Sequence, residues 1–328
     1  MGTDYAPWIR EIGRGSHGAR SLGREDARAL MAAMLAGEVP DLELGAILIA
    51  MRLKGESLDE TLGFLDALAP SVAALDAPAE RPRPVVLPSY NGARRGANLT
   101  PLLALLLARY GVPVLVHGLA GGEDSYAGDD DAPGDPAASY GRVTSASILW
   151  ELGVAPSPTR VDAMHRLRRG GVAYLPVEVL SPGLARLLDL RTRVGLRSAA
   201  HSLAKLVDPF GGCSVRVVSV SHPDYLVRMR EVLEATGADA MLMRGTEGEP
   251  YANPKRQPRL EIYAHGRPVR VVEPEEGTLA TLPSLPASSD AVTTAHWTAE
   301  ALAGAHALPA PIVVQLSCLL EAALDRGA

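Results

Sequence analysis

Residues 85–118 read VVLPSYNGARRGANLTPLLALLLARYGVPVLVHG, and this stretch decides the fold. A short β-branched run (85–87) is followed by a Gly- and Asn-rich loop. An apolar run of helical length closes at Gly111, and a second apolar strand ends at His117-Gly118. Strand, loop, helix, strand is a βαβ unit, which requires a parallel sheet. The pattern returns downstream as VRVVSVS (215–221), PDYLVRMREVLEATG (223–237) and ADAMLMRG (238–245). Between the two units, GLARLLDLRTRVGLRSAAHSLAKL (183–206) reads as two Arg-rich helices.

Upstream the chain reads as helices alone. Arg24–Ala36 has Ala, Leu and Met at helical spacing, with Ser21 expected to start it and Gly37 to end it. Asp41 is expected to cap LELGAILIAMRL, which Gly55 closes, and Ser57 with Glu60 forms a capping box for the next helix. A Pro-rich joint, APAERPRPVVLP (77–88), follows. The expected architecture is α/β, a small helical N-terminal domain plus a larger domain with a mostly parallel sheet. Its boundaries are a helical domain over 1–76, joined by helices near 181–206, and an α/β domain over 77–180 and 207–328.

With 328 residues, 47% of them apolar and 21% charged, the chain buries a sizeable core, which excludes a disordered or fibrous protein. Its apolar runs, such as the seven residues of Leu102–Ala108, are short, far below the ~20 that cross a bilayer. The first residues, MGTDYAPWIREIGRG, lack the apolar region of a signal peptide. The two cysteines, Cys213 and Cys318, fit neither a disulfide framework nor a zinc spacing. A cytoplasmic protein without a membrane partner is expected.

The net charge is −6, but it is unevenly distributed. Glu123–Asp135 holds six acidic residues and no basic one, within a Gly-, Asp- and Pro-rich stretch (121–141) that reads as a surface loop. Its aspartates lack the ligand spacing of a calcium loop. Arg160–Lys205 holds nine basic residues against three acidic ones. Because fields are screened over ~8 Å at physiological salt, a basic face acts locally whatever the total charge. Arg186, Arg191, Arg193, Arg197 and Lys205 lie in the two Arg-rich helices. Arg186, Arg193 and Arg197 share one face if the helix is continuous. Guanidinium groups in a row suit phosphates in a repeated geometry, as along a nucleic-acid backbone.

The loop after the first strand sits where α/β proteins bind phosphate, at a strand's carboxyl end and a helix N-terminus. Asn91, Gly92, Asn98 and Thr100 are its candidate anion-site residues, with Arg94 and Arg95 adding charge. The alternative is an ordinary βα loop whose Asn98 caps the helix. His117 is a candidate general base, or else a hydrogen-bonded structural residue. Glu247 and Glu249 in GTEGEPYANP (245–254) are two carboxylates that suit Mg²⁺, although a solvated turn explains them more simply. No nucleophilic triad can be assembled, and no metal site is expected.

Beyond these local patterns, the whole chain resembles the anthranilate phosphoribosyltransferase family (glycosyltransferase family 3). GEVPDLELGAILIAMRLKGES (37–57) is similar to the family's helical domain. PSYNGARRGANLTPLLALLL (88–107), RVGLRSAAHSLAKLVDPF (193–210), SVSHPDY (219–225) and MRGTEGEPYANP (243–254) look like its YbiB-type branch. The resemblance implies a homodimer formed through the helical domain. It also shows departures from the catalytic pattern. The family's Gly-Thr-Gly-Gly-Asp loop, which binds phosphoribosyl pyrophosphate, matches Pro88-Ser89-Tyr90-Asn91-Gly92, where proline removes an amide and tyrosine fills space. Asn98 and Thr100 keep the family's residues. Lys-His-Gly-Asn has become Val116-His117-Gly118-Leu119. Gly248-Glu249-Pro250-Tyr251 replaces the Asp-Glu pair that holds Mg²⁺, and Arg191 falls near the arginine that binds the aromatic acid.

The YbiB-type branch is associated with sequence-nonspecific nucleic-acid binding. The resemblance therefore implies a non-catalytic protein that grips DNA or RNA backbone through Arg186, Arg191, Arg193, Arg197 and Lys205, with Arg14, Arg20 and Arg94 at the edge. It needs no cofactor. The alternative is glycosyl transfer on an altered substrate with Mg²⁺ and phosphoribosyl pyrophosphate, using Asn98, Thr100 and His117.

Overall fold

The computed structural model of the chain describes residues 3–15, 18–120 and 141–325. The acidic run Glu123–Asp135 lies outside the described residues. The chain divides into two compact units, Met1–Ala73 with Ser181–Val207, and Ala74–Leu180 with Asp208–Ala328.

The first unit is helical, with α1 (Ala6–Ile12), α2 (Arg24–Ala36), α3 (Asp41–Lys54) and α4 (Leu58–Leu68). It is completed by α9 (Pro182–Val194) and α10 (Ala199–Leu203). Its tightest packing is α2 on α4, where a Cβ on Gly63 would lie 2.3 Å from the Arg24 carbonyl oxygen. The Ser57–Glu60 capping box forms as expected. Glu60 does more than cap, because its fully buried carboxylate also accepts from Leu22 N at 2.9 Å and Lys54 Nζ at 2.6 Å. Two expected caps differ. Helix α2 is preceded by Gly23 rather than Ser21. Asp41 is the first residue of α3 and Pro40 takes the cap position. There the Asp41 carboxylate still favours the helix by facing the positive end of its dipole.

The basic helices also break where the expected common face needed continuity. Gly195, in the left-handed region at φ 77°, ends α9, and Arg197 lies in the connection to α10. A left-handed residue reverses the chain direction and glycine adopts it without a Cβ clash. Arg197 therefore does not continue the face of Arg186 and Arg193.

The second unit is a seven-stranded sheet of β1 (Val85–Ser89), β2 (Val114–Gly118), β3 (Val172–Pro176), β4 (Val215–Val220), β5 (Ala240–Arg244), β6 (Leu260–Ala264) and β7 (Arg267–Val272). Strand order is β3-β2-β1-β4-β5-β6-β7. The first five strands are parallel, and the β6–β7 hairpin adds an antiparallel edge that the sequence reading did not anticipate. Pro88 sits inside β1, a central strand. Its missing N–H is tolerated because the β1–β4 ladder pairs only Val85 and Val86.

The flanking helices are α5 (Thr100–Arg109), α6 (Ser145–Glu151), α7 (Arg160–Arg168), α8 (Val177–Leu180), α11 (Asp224–Thr236), α12 (Ala291–Leu302) and α13 (Ala310–Leu324). Strands β1, β2 and β3 are buried at every position, as parallel strands covered on both faces must be. The core gathers around Leu87, Leu102, Leu103, Val116, Met241 and Leu319. The chain runs outward from β1 to β3, then returns to β4 on the other side of β1. This reversal makes a crevice beyond the carboxyl ends of β1 and β4, the position where open α/β sheets receive ligands.

Candidate functional site

The crevice is built by the loop between β1 and α5 and by the loop after β5. Side chains from the second loop fill it. Glu249 is fully buried, and five donors converge on its carboxylate. Oε1 accepts from the backbone N–H of Asn91 at 2.7 Å and of Gly92 at 2.9 Å. Oε2 accepts from the Ser89 hydroxyl, from Asn98 Nδ2 at 3.4 Å and from the Thr100 hydroxyl at 3.5 Å. Ser145, at the start of α6, closes the ring with its hydroxyl 2.7 Å from Ser89 Oγ and 3.2 Å from Asn98 Nδ2. Asn98 Oδ1 meanwhile accepts from Thr100 N at 3.1 Å at the start of α5.

Glu247 does the same one turn along. Its carboxylate accepts from the N–H groups of Arg94, Arg95 and Gly96 at 3.0, 2.9 and 3.2 Å. Arg142 pairs with it at 3.7 Å. The solvated turn expected for GTEGEP is thus corrected: the turn is a polar plug. The reason is tertiary, since the donors come from residues about 150 positions away in sequence. Burial together with the neighbouring Glu247 and Glu249 charges raises the Tyr251 phenol well above its ordinary value. Its hydroxyl donates to the Ala97 carbonyl at 2.9 Å.

His117, on β2, is wholly buried. Its Nδ1 lies 2.7 Å from the Tyr90 hydroxyl, and the two rings meet edge to face. Burial alone lowers its pKa to about 3, so the imidazole is neutral. A general base has to meet a substrate proton; this imidazole instead meets a tyrosine from the same loop.

These residues do not fit Mg²⁺ or a pyrophosphate. Both glutamates are turned onto N–H donors, which repel a cation, and the amides a pyrophosphate would use are taken. Pro88 has no amide to give, and the Tyr90 ring is packed on His117. Among the described residues no group of three or more His, Cys, Asp or Glu is placed to hold a metal.

The basic candidates lie in the helical unit, apart from Arg94 in the α/β unit. Arg14, Arg20, Arg186 and Arg193 are exposed, Arg197 is half-buried, and Arg191 and Lys205 are buried. Arg193 pairs with Asp41 at 3.1 Å and Arg14 with Glu11 at 3.4 Å, both on the surface. The Arg186 guanidinium donates to the Leu35 carbonyl. Arg191 and Arg197 line one small cleft together with Arg52 and Ser198.

His201 was not among the expected site residues, yet it reports on this cluster. Its Nδ1 accepts from Ser198 N at 3.3 Å, so the proton sits on Nε2. Burial, then the charges of Arg197, Arg191 and Lys205, push its pKa down to about 3. The structure therefore brings Arg191, Arg197 and Lys205 into one electrostatic neighbourhood, while Arg14, Arg20, Arg186 and Arg193 are exposed residues of the same unit. Nothing in the sequence pattern marks His201, whereas the family resemblance marks Tyr90 as a residue that fills the loop, and its ring packs on His117.

Residues 6–71 match the helical bundle domain of the glycosyl transferase family. An uncharacterised protein of Escherichia coli K12, YbiB, is 42% identical over 320 residues, covering 97% of this chain and 94% of that one. This chain belongs to the YbiB-type branch of the anthranilate phosphoribosyltransferase family. The anthranilate phosphoribosyltransferases themselves are more distant. The anthranilate phosphoribosyltransferase of Beijerinckia indica is 26% identical over 246 residues, 74% of this chain and 65% of that enzyme. In three dimensions the YbiB-type chain is similar to the anthranilate phosphoribosyltransferase of Thermus thermophilus. That match has a TM-score of 0.68 at 25% identity, covering 97% of this chain and 87% of the other. The Saccharomyces cerevisiae enzyme, solved with phosphoribosyl pyrophosphate and Mg, shares the fold at a TM-score of 0.69 and 12% identity, covering 98% of this chain and 92% of that one. The fold expected from the sequence, a helical domain plus a mostly parallel sheet, is the fold of this YbiB-type chain.

Proposed function

We propose that this chain is a non-catalytic, sequence-nonspecific nucleic-acid-binding homodimer on a phosphoribosyltransferase fold. The observation that carries the reading is the convergence of Arg191, Arg197 and Lys205 on the neutral His201, with Arg52 in the same cleft and Arg186 and Arg193 on the surface of α9. Like charges gathered this closely make a local field that draws an anion. Phosphodiesters answer arginines in a repeated, base-independent geometry. Arg14 and Arg20 add exposed charge within the helical unit.

The dimer is supported by α3. Leu42, Ala46, Ile49 and Leu53 follow one another at spacings of four, three and four. Leu42 and Leu53 are 82% and 80% exposed. An apolar helix stripe left in water asks for a partner, and a second copy of the same helix is a self-complementary one. Glycosyl transfer, the competing reading, needs the Asn91 and Gly92 amides that Glu249 holds. Among the described residues no helix is long and apolar enough to cross a membrane. Both cysteines are free thiols, which suits the reducing cytoplasm proposed for the chain.

The test is fluorescence anisotropy of labelled single- and double-stranded DNA across a salt series. Affinity is expected to fall linearly with log salt, with a slope of about −0.9 per duplex phosphate contacted. An Arg193→Glu/Arg197→Gln variant should bind at least tenfold more weakly with a shallower slope. Flat traces at low salt would sink the reading.

A further inference from the structure

We propose that the loop over residues 245–250 is a built-in ligand. The crevice at the β1–β4 switch point is an oxyanion site whose resident occupant is the Glu249 carboxylate, with Glu247 as a second anchor. The inference concerns the α/β unit and stands apart from the nucleic-acid reading, which concerns the helical unit.

The donor set is that of a ligand site. Two backbone amides, two hydroxyls and a carboxamide reach one carboxylate from β1, the following loop and the start of α5. Those side chains, Ser89, Asn98 and Thr100, are each at most 4% exposed. Buried donors of this kind are costly unless something accepts from them, and here the acceptor is a side chain from a distant loop. The carboxylate in turn enters the interior because its charge is answered on both oxygens.

The loop is shaped for the task at a backbone cost. Glu247 sits in the left-handed region at φ 52°, which a side chain other than glycine, asparagine or aspartate seldom adopts. A Cβ on Gly245 would lie 2.1 Å from the Glu249 carbonyl oxygen, so only glycine fits there. From behind, Ser219 Oγ donates to the Gly248 carbonyl at 2.9 Å. Gln315 Nε2 donates to the Pro250 carbonyl at 3.0 Å, and Gln315 Oε1 accepts from Ala252 N at 2.7 Å. The plug is thus held on the far side by β4 and α13 while its two carboxylates hold the cradle.

An outside oxyanion reaches the Asn91 and Gly92 amides only when Glu249 leaves. The crevice is closed by competition, and removing one carboxylate should leave a vacancy that a small anion fills. The experiment uses the full chain with Glu249→Ala, its thermal midpoint followed in sodium formate and in sodium phosphate, with chloride holding the ionic strength constant. The variant is expected to melt below the wild type and to recover saturably, by ~3 °C or more, as formate or phosphate is added. The wild type should gain nothing. A folded variant that responds to formate and phosphate no more than to chloride overturns the proposal, as does a wild type that gains as much as the variant. If Glu249→Ala does not fold, Glu247→Ala decides by the same readout, because its carboxylate lies nearer the surface and its three amide donors survive.

Discussion

Burial holds the imidazoles of His117 and His201 neutral, one in each unit, and this sets how each unit responds to acid. Both have folded pKa values of about 3 against an ordinary 6.5. Below pH 6.5 the unfolded chain takes up a proton at each that the folded chain refuses. Stability is therefore complete above 6.5 and falls as the pH drops toward 3. At pH 5 the loss is about 2 kcal/mol per histidine. Urea unfolding at pH 7.5 and 5.0 should show it, and His201→Gln should remove the helical unit's share while leaving the α/β unit's untouched. Glu261 acts in a separate, lower window. Its hydrogen bond with Arg230, foremost, and a second from Arg259 hold it down at about 2, so its contribution is present above 4.5 and lost only as the pH falls toward 2. At this scale the sequence was least legible. Thr100 begins α5, but Leu99 rather than Asn98 takes the cap position, and Asn98 Oδ1 accepts instead from Thr100 N. Glu249 read as a solvated turn residue because its burial depends on donors about 150 positions away, and no local pattern encodes that.

Helices α2 and α4 approach so closely at Gly63 that the residue's missing side chain is a packing requirement. A Cβ there meets the Arg24 carbonyl oxygen at 2.3 Å and the Ala27 Cβ at 3.0 Å. Gly63→Ala must push the helices apart, and a loss of about 1–3 kcal/mol is expected. Gly45, inside α3, has nothing within 4 Å of the same added atom. Gly45→Ala should stabilise by up to about 1 kcal/mol through helix propensity alone. Thermal unfolding of the two variants side by side checks opposite signs for the same substitution. The sequence announced these helices well, because their spacing and the Ser57–Glu60 box are local signals. It announced the β6–β7 hairpin poorly. The signal was present in His265-Gly266, both at positive φ (50° and 74°) as the tight hairpin turn requires, but histidine is an unusual residue for that position. The break after α9 was equally readable at Gly195, and it separates Arg186, Arg191 and Arg193 on the helix, of which only Arg191 is buried, from the half-buried Arg197 and the buried Lys205 beyond it.

Over the whole molecule, a net charge of −6 sits beside a stretch from Arg160 to Lys205 with nine basic residues and three acidic ones. A polyanion that approaches such a chain is repelled at long range and attracted only within a Debye length, ~8 Å at physiological salt. One basic cluster on an acidic protein is thus a weak site by itself. Two clusters on a two-fold dimer act together, because the second contact becomes intramolecular once the first is made. This ties the exposed stripe on α3 to the proposed function and gives a prediction that separates dimerisation from binding. Leu42→Glu/Leu53→Glu places charges at the two most exposed leucines of the stripe without touching an arginine. The variant is expected to sediment as a monomer of 34.5 kDa and the wild type at twice that mass. Its affinity for a long duplex should fall at least ~10-fold, whereas a short oligonucleotide that fills one cluster should bind both proteins equally. Equal loss on both lengths would mean the substitutions damaged the cluster itself, and a wild type that sediments as a monomer would remove the dimer from the account.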